Sequence, residues 1–182
     1  FAGVLREYGV SIIATEGTQK TLAKGGIESV ELADYTGQRE MLGGRVKSLH
    51  PKVHAGLMGV RDNKIHQEEM QTFEFPWIDM LVVNLPPIEE IVAKPSLTTD
   101  EVVQQVDIGG VAMIRSGAKN FRYVTVITSP ERYTGVAHEL KERDGQVSFE
   151  TRFRLAQDAY AATAAYDAVL AEYLARCEPG DS

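Results

Sequence analysis

The densest group of residues that could do chemistry lies in the segment 43–56. Two adjacent glycines allow a ligand to approach the backbone, and they are followed by a guanidinium (Arg45), an ammonium (Lys47) and a hydroxyl (Ser48). Residues two apart in an extended chain point the same way, so Arg45 and Lys47 can face one ligand. This set suits a phosphate group. No Gly-Lys-Ser or Gly-Lys-Thr tripeptide occurs, so a P-loop nucleotide site is not supported.

A second group lies in the segment 106–120. Gly109 and Gly110 stand at a predicted helix start, where free backbone N–H groups and the helix dipole favour an oxyanion or a phosphate. Asp107 precedes them and is either a helix N-cap or a general base. Lys119 lies at the far end of the same predicted helix. It would need a bent helix or a tertiary return to reach the same pocket.

Two histidines, His50 and His54, have the i, i+4 spacing that can present two ligands to zinc on a helix. No Glu follows His50, Pro51 intervenes, and neither Cys nor a third His is near. Structural imidazoles or hydrogen bonds to a substrate are therefore favoured over a metal site, and no metal ligand is predicted.

The charge pattern points to a small anion. The net charge is −7, which argues against a nucleic-acid-binding surface. Basic residues nevertheless outnumber acidic ones in the segments 39–64 and 111–122, which contain the two groups above. Such islands indicate a focused anion site, and solvated surface charge is the alternative. No apolar run is long enough to span a membrane.

Short apolar runs that alternate with helical patterns must position these residues. The predicted strands cover residues 10–15, 27–32, 78–85 and 123–128, and helices are predicted over residues 19–23 and 129–143. This alternation predicts an α/β fold, with a mainly parallel sheet flanked by helices. In such sheets ligands bind beyond the carboxyl ends of the strands, so the loops after Thr15, Leu85 and Asp107 are the candidate binding loops.

A long Ala-rich helix is predicted over residues 148–175. Apolar residues recur three or four apart along it and predict a buried stripe, packed on the sheet or on a dimer partner. The stripe comprises Phe149, Phe153, Ala156, Tyr160, Thr163, Tyr166 or Asp167, Leu170 and Leu174. Residues 1–176 are predicted to form a single domain and residues 177–182 a tail.

Three ordered motifs carry a resemblance to a known family. They are Gly44-Arg45-Val46-Lys47-Ser48-Leu49-His50-Pro51-Lys52-Val53-His54-Ala55-Gly56, Val106-Asp107-Ile108-Gly109-Gly110 and Ala118-Lys119-Asn120. The chain resembles, over nearly its whole length, the IMP cyclohydrolase domain of bifunctional purine-biosynthesis proteins that also carry a formyltransferase. The resemblance implies a methylglyoxal-synthase-like fold and closure of the purine ring of formamidoimidazole carboxamide ribotide (FAICAR) to IMP with loss of water. It implies no metal and no organic cofactor.

Roles for individual residues follow from the same resemblance. Lys47 and Lys119 would stabilise the tetrahedral oxyanion or move protons, and Asp107 would act as a base or orient a lysine. Backbone groups of Ile108 and Gly109 would hold the heterocycle with Asn84 nearby, while the phosphate would be held by Arg45, Ser48 and the turn 15–18. The substrate-binding residues implied are Thr15, Gly17, Thr18, Arg45, Ser48, Asn84, Ile108, Gly109 and Gly110.

Three departures from the family pattern keep alternatives open. The family usually has Gly where Glu16 stands, and a carboxylate there would repel phosphate unless it points away. The family also has a Tyr, implicated in catalysis, where this chain has Pro86. Its first strand and Ser-x-Ser-x-Lys loop are absent before Phe1. The alternatives are a non-catalytic purine-ribotide binding domain on the same fold and, less favoured, methylglyoxal synthase chemistry.

Partners and location are expected from the same sources. A purine ribotide is the expected substrate, and neither nucleic acid nor membrane is expected as a partner. The resembled enzymes are homodimers, so a homodimer is expected, although a lone domain could be a monomer. The single Cys177 cannot pair within the chain, and no signal-peptide pattern is present, which favours the cytoplasm.

Overall fold

The computed structural model describes residues 1–178 of the chain, so residues 179–182 of the predicted tail lie outside the described residues. The helices are α1 (Ala2–Glu7), α2 (Glu16–Lys24), α3 (Leu32–Thr36), α4 (Pro51–Met58), α5 (Lys64–Thr72), α6 (Ile88–Val92), α7 (Thr99–Gln104), α8 (Ile108–Lys119), α9 (Tyr133–Glu142) and α10 (Phe149–Leu174). The strands are β1 (Ile13–Ala14), β2 (Val30–Glu31), β3 (Met80–Val82) and β4 (Thr125–Ile127). Short 3₁₀ turns occupy Leu42–Gly44 and Pro130–Arg132.

The strands pair in parallel, as the alternation of strands and helices predicts. β1 pairs with β2, with Ile13 opposite Val30, and β3 pairs with β4, with Leu81 opposite Val126. Within residues 1–178 these four strands form two separate two-stranded sheets. Each strand lies inside one of the predicted apolar runs, and the fold is therefore the predicted α/β class with parallel strands flanked by helices and a long C-terminal helix.

The core is built around β4, which is buried on both faces. Val126 packs in one cluster with residues of α4, α8 and α10, whereas Ile127 packs in another with residues of α1, α9 and α10. Helix α8 approaches β4 closely because Gly117 has no side chain, and a methyl group there would lie 2.7 Å from Cγ2 of Val126. This close packing fixes α8, which begins at the second candidate group of residues.

The buried face of α10 differs from the predicted stripe. Phe149, Phe153 and Tyr160 are each more than 40% exposed, whereas Leu155 and Ala159 are buried. The side facing the core follows Leu155, Ala156, Ala159, Thr163 and Tyr166. The prediction was therefore wrong for Leu174 and for Phe149, Phe153 and Tyr160, and these three aromatic residues form an exposed patch beside α8. No helix within residues 1–178 is long and apolar enough to cross a membrane.

Helices α4 and α8 are joined at their carboxyl ends by the buried side chain of Asn120. Its Nδ2 donates to the carbonyl oxygens of Leu57 and Gly59, both at 2.9 Å. These carbonyls belong to the last turn of α4 and the residue after it, which have no partner within the helix. The Asn120 of the third sequence motif therefore has a structural function.

We expect Asn120→Asp to lower the free energy of unfolding by about 3 kcal/mol or more, because a buried carboxylate would face two carbonyl oxygens without a proton to donate. Urea unfolding measures the change. Asn63→Asp is the matched control, because Asn63 only accepts hydrogen bonds, from the N–H groups of Ile65 and His66 at the start of α5. Aspartate serves equally well there. A loss below about 1 kcal/mol for Asn120→Asp would contradict the structural function.

Candidate active site

The segment that carries Arg45, Lys47 and Ser48 begins in a tight turn that only glycine accommodates easily. Gly43 has φ 63° and Gly44 has φ 91°, both in the left-handed region. The carboxylate of Glu40 lies over Gly44, where a side chain would collide with it. Glu40 Oε1 is 3.1 Å from Nζ of Lys47, and both side chains are a little over 40% exposed. The Lys47 ammonium is thus held by a carboxylate from its own segment, at the surface.

Ser48 brings this segment to the start of α8. Its side chain is buried, and a methyl group on Gly109 would collide with Ser48 Oγ. The absence of a side chain at Gly109 therefore allows the hydroxyl to lie against the first turn of the helix. The two groups of residues identified in the sequence meet at this point, with the free backbone N–H groups of α8 beside Ser48.

Asp107 is the N-cap of α8. Its Oδ1 accepts a hydrogen bond from the Gly110 N–H at 2.7 Å, which satisfies one donor of the first turn. Its own N–H donates to the hydroxyl of Tyr166 on α10 at 3.0 Å. Tyr166 is buried, and this burial raises the pKa of its phenol. The structure thus confirms the N-cap interpretation of Asp107. This cap hydrogen bond uses Oδ1 of the two carboxylate oxygens.

Arg45 is exposed and contacts another helix. Its guanidinium hydrogen-bonds to the side-chain carbonyl oxygen of Gln104, the last residue of α7. This contact ties the segment 43–50 to the helix that precedes Asp107. Nothing in the sequence pattern identified Gln104 as a neighbour of the site, because its partner is 59 residues away.

A cavity opens between the Lys47 segment and the carboxyl ends of β1 and β2. Its lining residues are Thr15, Glu16, Glu31, Leu32, Ala33, Gln38, Glu40 and Lys47. The position of Glu16 in this lining bears on phosphate binding. Its carboxylate forms an ion pair at 2.5 Å with Lys20, one turn along α2. The hydrogen bond and charge of Lys20 lower the pKa of Glu16, so it stays ionised with its charge balanced locally.

Two predicted site residues are not brought to this cluster. Asn84, exposed just beyond β3, donates from Nδ2 to the hydroxyl of Tyr133 at 2.9 Å. Lys119 is exposed at the last position of α8, which runs unbroken from Ile108. A helical rise of 1.5 Å per residue separates it from Asp107 by about 18 Å along the axis. The bent helix that would have brought Lys119 back is not present.

Gly17 and Thr18 lie in the first turn of α2, after Thr15, its N-cap residue. Thr15 is half-buried and lines the cavity, whereas Gly17 and Thr18 are exposed. Ile108 is 60% exposed at the first position of α8. Of these residues, Thr15 lines the cavity and Ile108 begins α8.

Sequence reasoning assigned no role to Glu40, Gln104 or Tyr166. Tyr166 carried a signal, because it belongs to a stripe of helical spacing. Glu40 and Gln104 carried none, since contacts made by long side chains from irregular or distant segments leave no periodic trace. Within residues 1–178 no group of three or more His, Cys, Asp or Glu side chains is placed to hold a metal ion.

Comparison with known proteins gives consistent matches. Residues 1–112 match the family model of the MGS-like domain, and residues 117–181 match that of the AICARFT/IMPCHase bienzyme. The bifunctional purine biosynthesis proteins PurH of Magnetococcus marinus and Caldicellulosiruptor bescii are each 47% identical, over 96% and 95% of this chain. The chain spans about a third of the length of these relatives, 33% and 34%.

A solved structure agrees with these matches. The crystal structure of ForH superposes with a TM-score of 0.82 at 34% sequence identity, and the match covers 95% of this chain and 90% of that one. The architecture, the matched family model and this relative of similar length lead to one assignment. The chain belongs to the MGS-like domain family, and it is similar to a segment that makes up about one third of the length of each PurH protein.

Proposed function

We propose that this chain is an IMP cyclohydrolase domain of purine biosynthesis, an enzyme that closes the purine ring of FAICAR. In this reaction the carboxamide nitrogen attacks the formyl carbon and forms a tetrahedral carbon that carries the former formyl oxygen. That oxygen leaves as water, and IMP remains. One observation carries the proposal. The Lys47–Ser48 segment lies against the first turn of α8, where Ser48 meets Gly109.

Ring closure needs the two reacting groups held at attack distance, a proton removed from a poor amide nucleophile, and a developing oxyanion stabilised. The Lys47 ammonium and the free N–H groups at the start of α8 supply positive potential for the oxyanion. Asp107 has one carboxylate oxygen outside its cap hydrogen bond, and this oxygen is the proposed proton acceptor. Tyr166 holds the Asp107 backbone, and the hydrogen bond from the Gly110 N–H to Oδ1 keeps the carboxylate from turning freely.

The ribotide phosphate is proposed to bind at the edge of the cavity near Arg45, Ser48 and the turn 15–18. Arg45 and Ser48 offer a guanidinium and a hydroxyl on one segment. Glu16 would oppose a phosphate, but its ion pair with Lys20 reduces that effect. Lys47 must exchange its partner Glu40 for the substrate, and both side chains are exposed enough to do so.

Lys119 can join this site only from a second copy of the chain, because 18 Å of helix separates it from Asp107. A homodimer is therefore part of the proposal. The aromatic patch of Phe149, Phe153 and Tyr160 is exposed in one copy, and Lys119 lies one helical turn along α8 from Arg115, whose guanidinium lies over the Tyr160 ring. Exposed aromatic residues flanked by arginines are typical of protein interfaces, and Arg122 and Arg115 lie over the rings of Phe149 and Tyr160.

The direct test mixes the purified protein with FAICAR and follows IMP by its absorbance. We expect conversion by the protein and a loss of at least about tenfold in Asp107→Asn, which keeps the cap acceptor but removes the base. Asp144→Asn, at an exposed residue outside the site, is the matched control. Absence of IMP with the protein folded and dimeric would refute the cyclohydrolase assignment.

A non-catalytic purine-ribotide binding domain is the second candidate. Two observations favour it, since Lys47 is paired with Glu40 and Asp107 serves as a helix cap. Calorimetry separates the two functions. IMP that binds to a protein unable to convert FAICAR would support this candidate.

A further inference from the structure

His54 is a half-buried histidine that the proposed mechanism does not use. It lies on α4, and its Nδ1 is 2.8 Å from the hydroxyl oxygen of Ser116 on α8. Its Nε2 is buried without a hydrogen-bond partner. Ser116 also donates to the carbonyl oxygen of Ala112 in its own helix, at 2.9 Å. The imidazole therefore joins two helices of the site rather than filling a gap in the core.

Helices α4 and α8 are in contact at three positions along their length, and the hydrogen bond between His54 and Ser116 is the middle contact. At the carboxyl ends Asn120 joins α8 to the last turn of α4. At the amino ends Ser48, which precedes α4, lies against Gly109 at the start of α8. The contacts run in the same order along both helices, so α4 and α8 lie side by side and parallel. A movement of α4 relative to α8 would shift Ser48 and Lys47 relative to the first turn of α8.

Burial also sets the charge of the His54 ring. Burial lowers the pKa of His54 below its ordinary value of 6.5, and a smaller interaction with the Ser48 backbone raises it. The net direction is downward, so the imidazole is neutral at pH 7. A neutral ring hydrogen-bonded to Ser116 ties α4 to α8 without adding charge to the site.

We propose that His54 is a positioning residue that holds the Lys47–Ser48 segment in register with the first turn of α8. Its hydrogen bond with Ser116 fixes α4 along α8, and His50, the N-cap of α4, donates its N–H to the Ser48 carbonyl oxygen at 2.9 Å. This inference rests on the proposed function for its effect on turnover. The positioning itself can be measured without any reaction.

Hydrogen exchange of the amides of His50 and Gly110 tests the positioning, because these N–H groups donate to the Ser48 carbonyl oxygen at 2.9 Å and to Asp107 Oδ1 at 2.7 Å. We expect His54→Ala to raise their exchange at least about tenfold, and His54→Gln, which keeps a polar group for Ser116, to restore most of the protection. His66→Ala is the matched control. The ring of His66 also makes a partly buried hydrogen bond, which it accepts from the Val60 N–H at 3.0 Å, but this contact lies at the other end of α4. Unchanged exchange in a folded His54→Ala protein would overturn the proposal.

A double-mutant cycle on kcat/KM tests the consequence for turnover. If His54 acts through Ser48, Ser48→Ala should lower kcat/KM by a far smaller factor in the His54→Ala protein than in the unmodified protein. Losses that simply multiply would overturn the link to Ser48. An unmodified protein that forms no IMP would instead refute the proposed function, and the exchange measurement would still decide the role of His54.

Discussion

Replacing Lys47 by alanine is expected to lower kcat for IMP formation by about 10²–10³, the usual loss when one oxyanion-stabilising group is removed. The substitution removes the ammonium nearest the cavity and leaves Glu40 without its partner. An unpaired carboxylate would then lie where the reaction develops negative charge, so the loss includes repulsion as well as missing attraction. Steady-state kinetics with FAICAR measure it.

Two variants sharpen this test. Lys52→Ala is the control, because Lys52 lies five residues further along, over the ring of Tyr35 at 4.7 Å, and does not line the cavity. Its activity should stay within about twofold of that of the unmodified protein. Combining Lys47→Ala with Glu40→Gln should recover part of the loss, since it removes the repulsive carboxylate. A Lys47→Ala protein with more than a tenth of full activity would contradict a catalytic role for Lys47.

Mixing two inactive variants is expected to restore activity if Lys119 acts in the site of a second copy. Lys119→Ala alone should lose about 10²-fold, by the same electrostatic argument as Lys47. When Lys47→Ala and Lys119→Ala chains are co-expressed, half of the random dimers are mixed, and each mixed dimer contains one complete site. Activity should therefore return to about a quarter of that of the unmodified dimer.

The matched control combines Lys47→Ala with Asp107→Asn. Both of these residues come from the same copy, so neither site of a mixed dimer is complete and no recovery is expected. Phe153→Glu should abolish the dimer and the activity together if the exposed aromatic patch is the interface, as sedimentation would show. Absence of recovery in the first mixture, with dimers present, would exclude a Lys119 contribution from the partner copy.

Much of the fold could be predicted from local patterns. The apolar runs that contain Ile13, Val30, Leu81 and Val126 alternate with helical segments, and such alternation has few solutions other than parallel pairing. The start of α8 was also predictable, because Asp107 followed by two glycines combines a cap residue with an exposed helix end. Local chemistry at strand ends and helix starts therefore identified Thr15, Glu16 and Lys47 of the cavity lining, but not its other five residues.

The sequence could not predict which residues distant along the chain meet in the fold, or which of two faces of a helix is buried. Helix α10 carries one apolar stripe through Phe153 and Tyr160 and another through Leu155 and Ala159, and periodicity alone cannot say which one faces the sheet. Lys119 shares a motif with Asn120, yet the helix directs Asn120 inward to α4 and leaves Lys119 on the surface. Neighbouring positions in a motif thus serve separate tasks.

The hydrogen bond between Asp107 and Tyr166 has a consequence for synthesis of the protein on the ribosome. The site draws on residues from Thr15 to Tyr166, and its last contributor belongs to the last helix of the described chain. Chains are made from the N-terminus and domains fold as units, so the Asp107 cap lacks its support for as long as α10 is missing. A nascent chain therefore cannot complete this site until α10 has emerged and docked, and substrate would be held only by a finished domain.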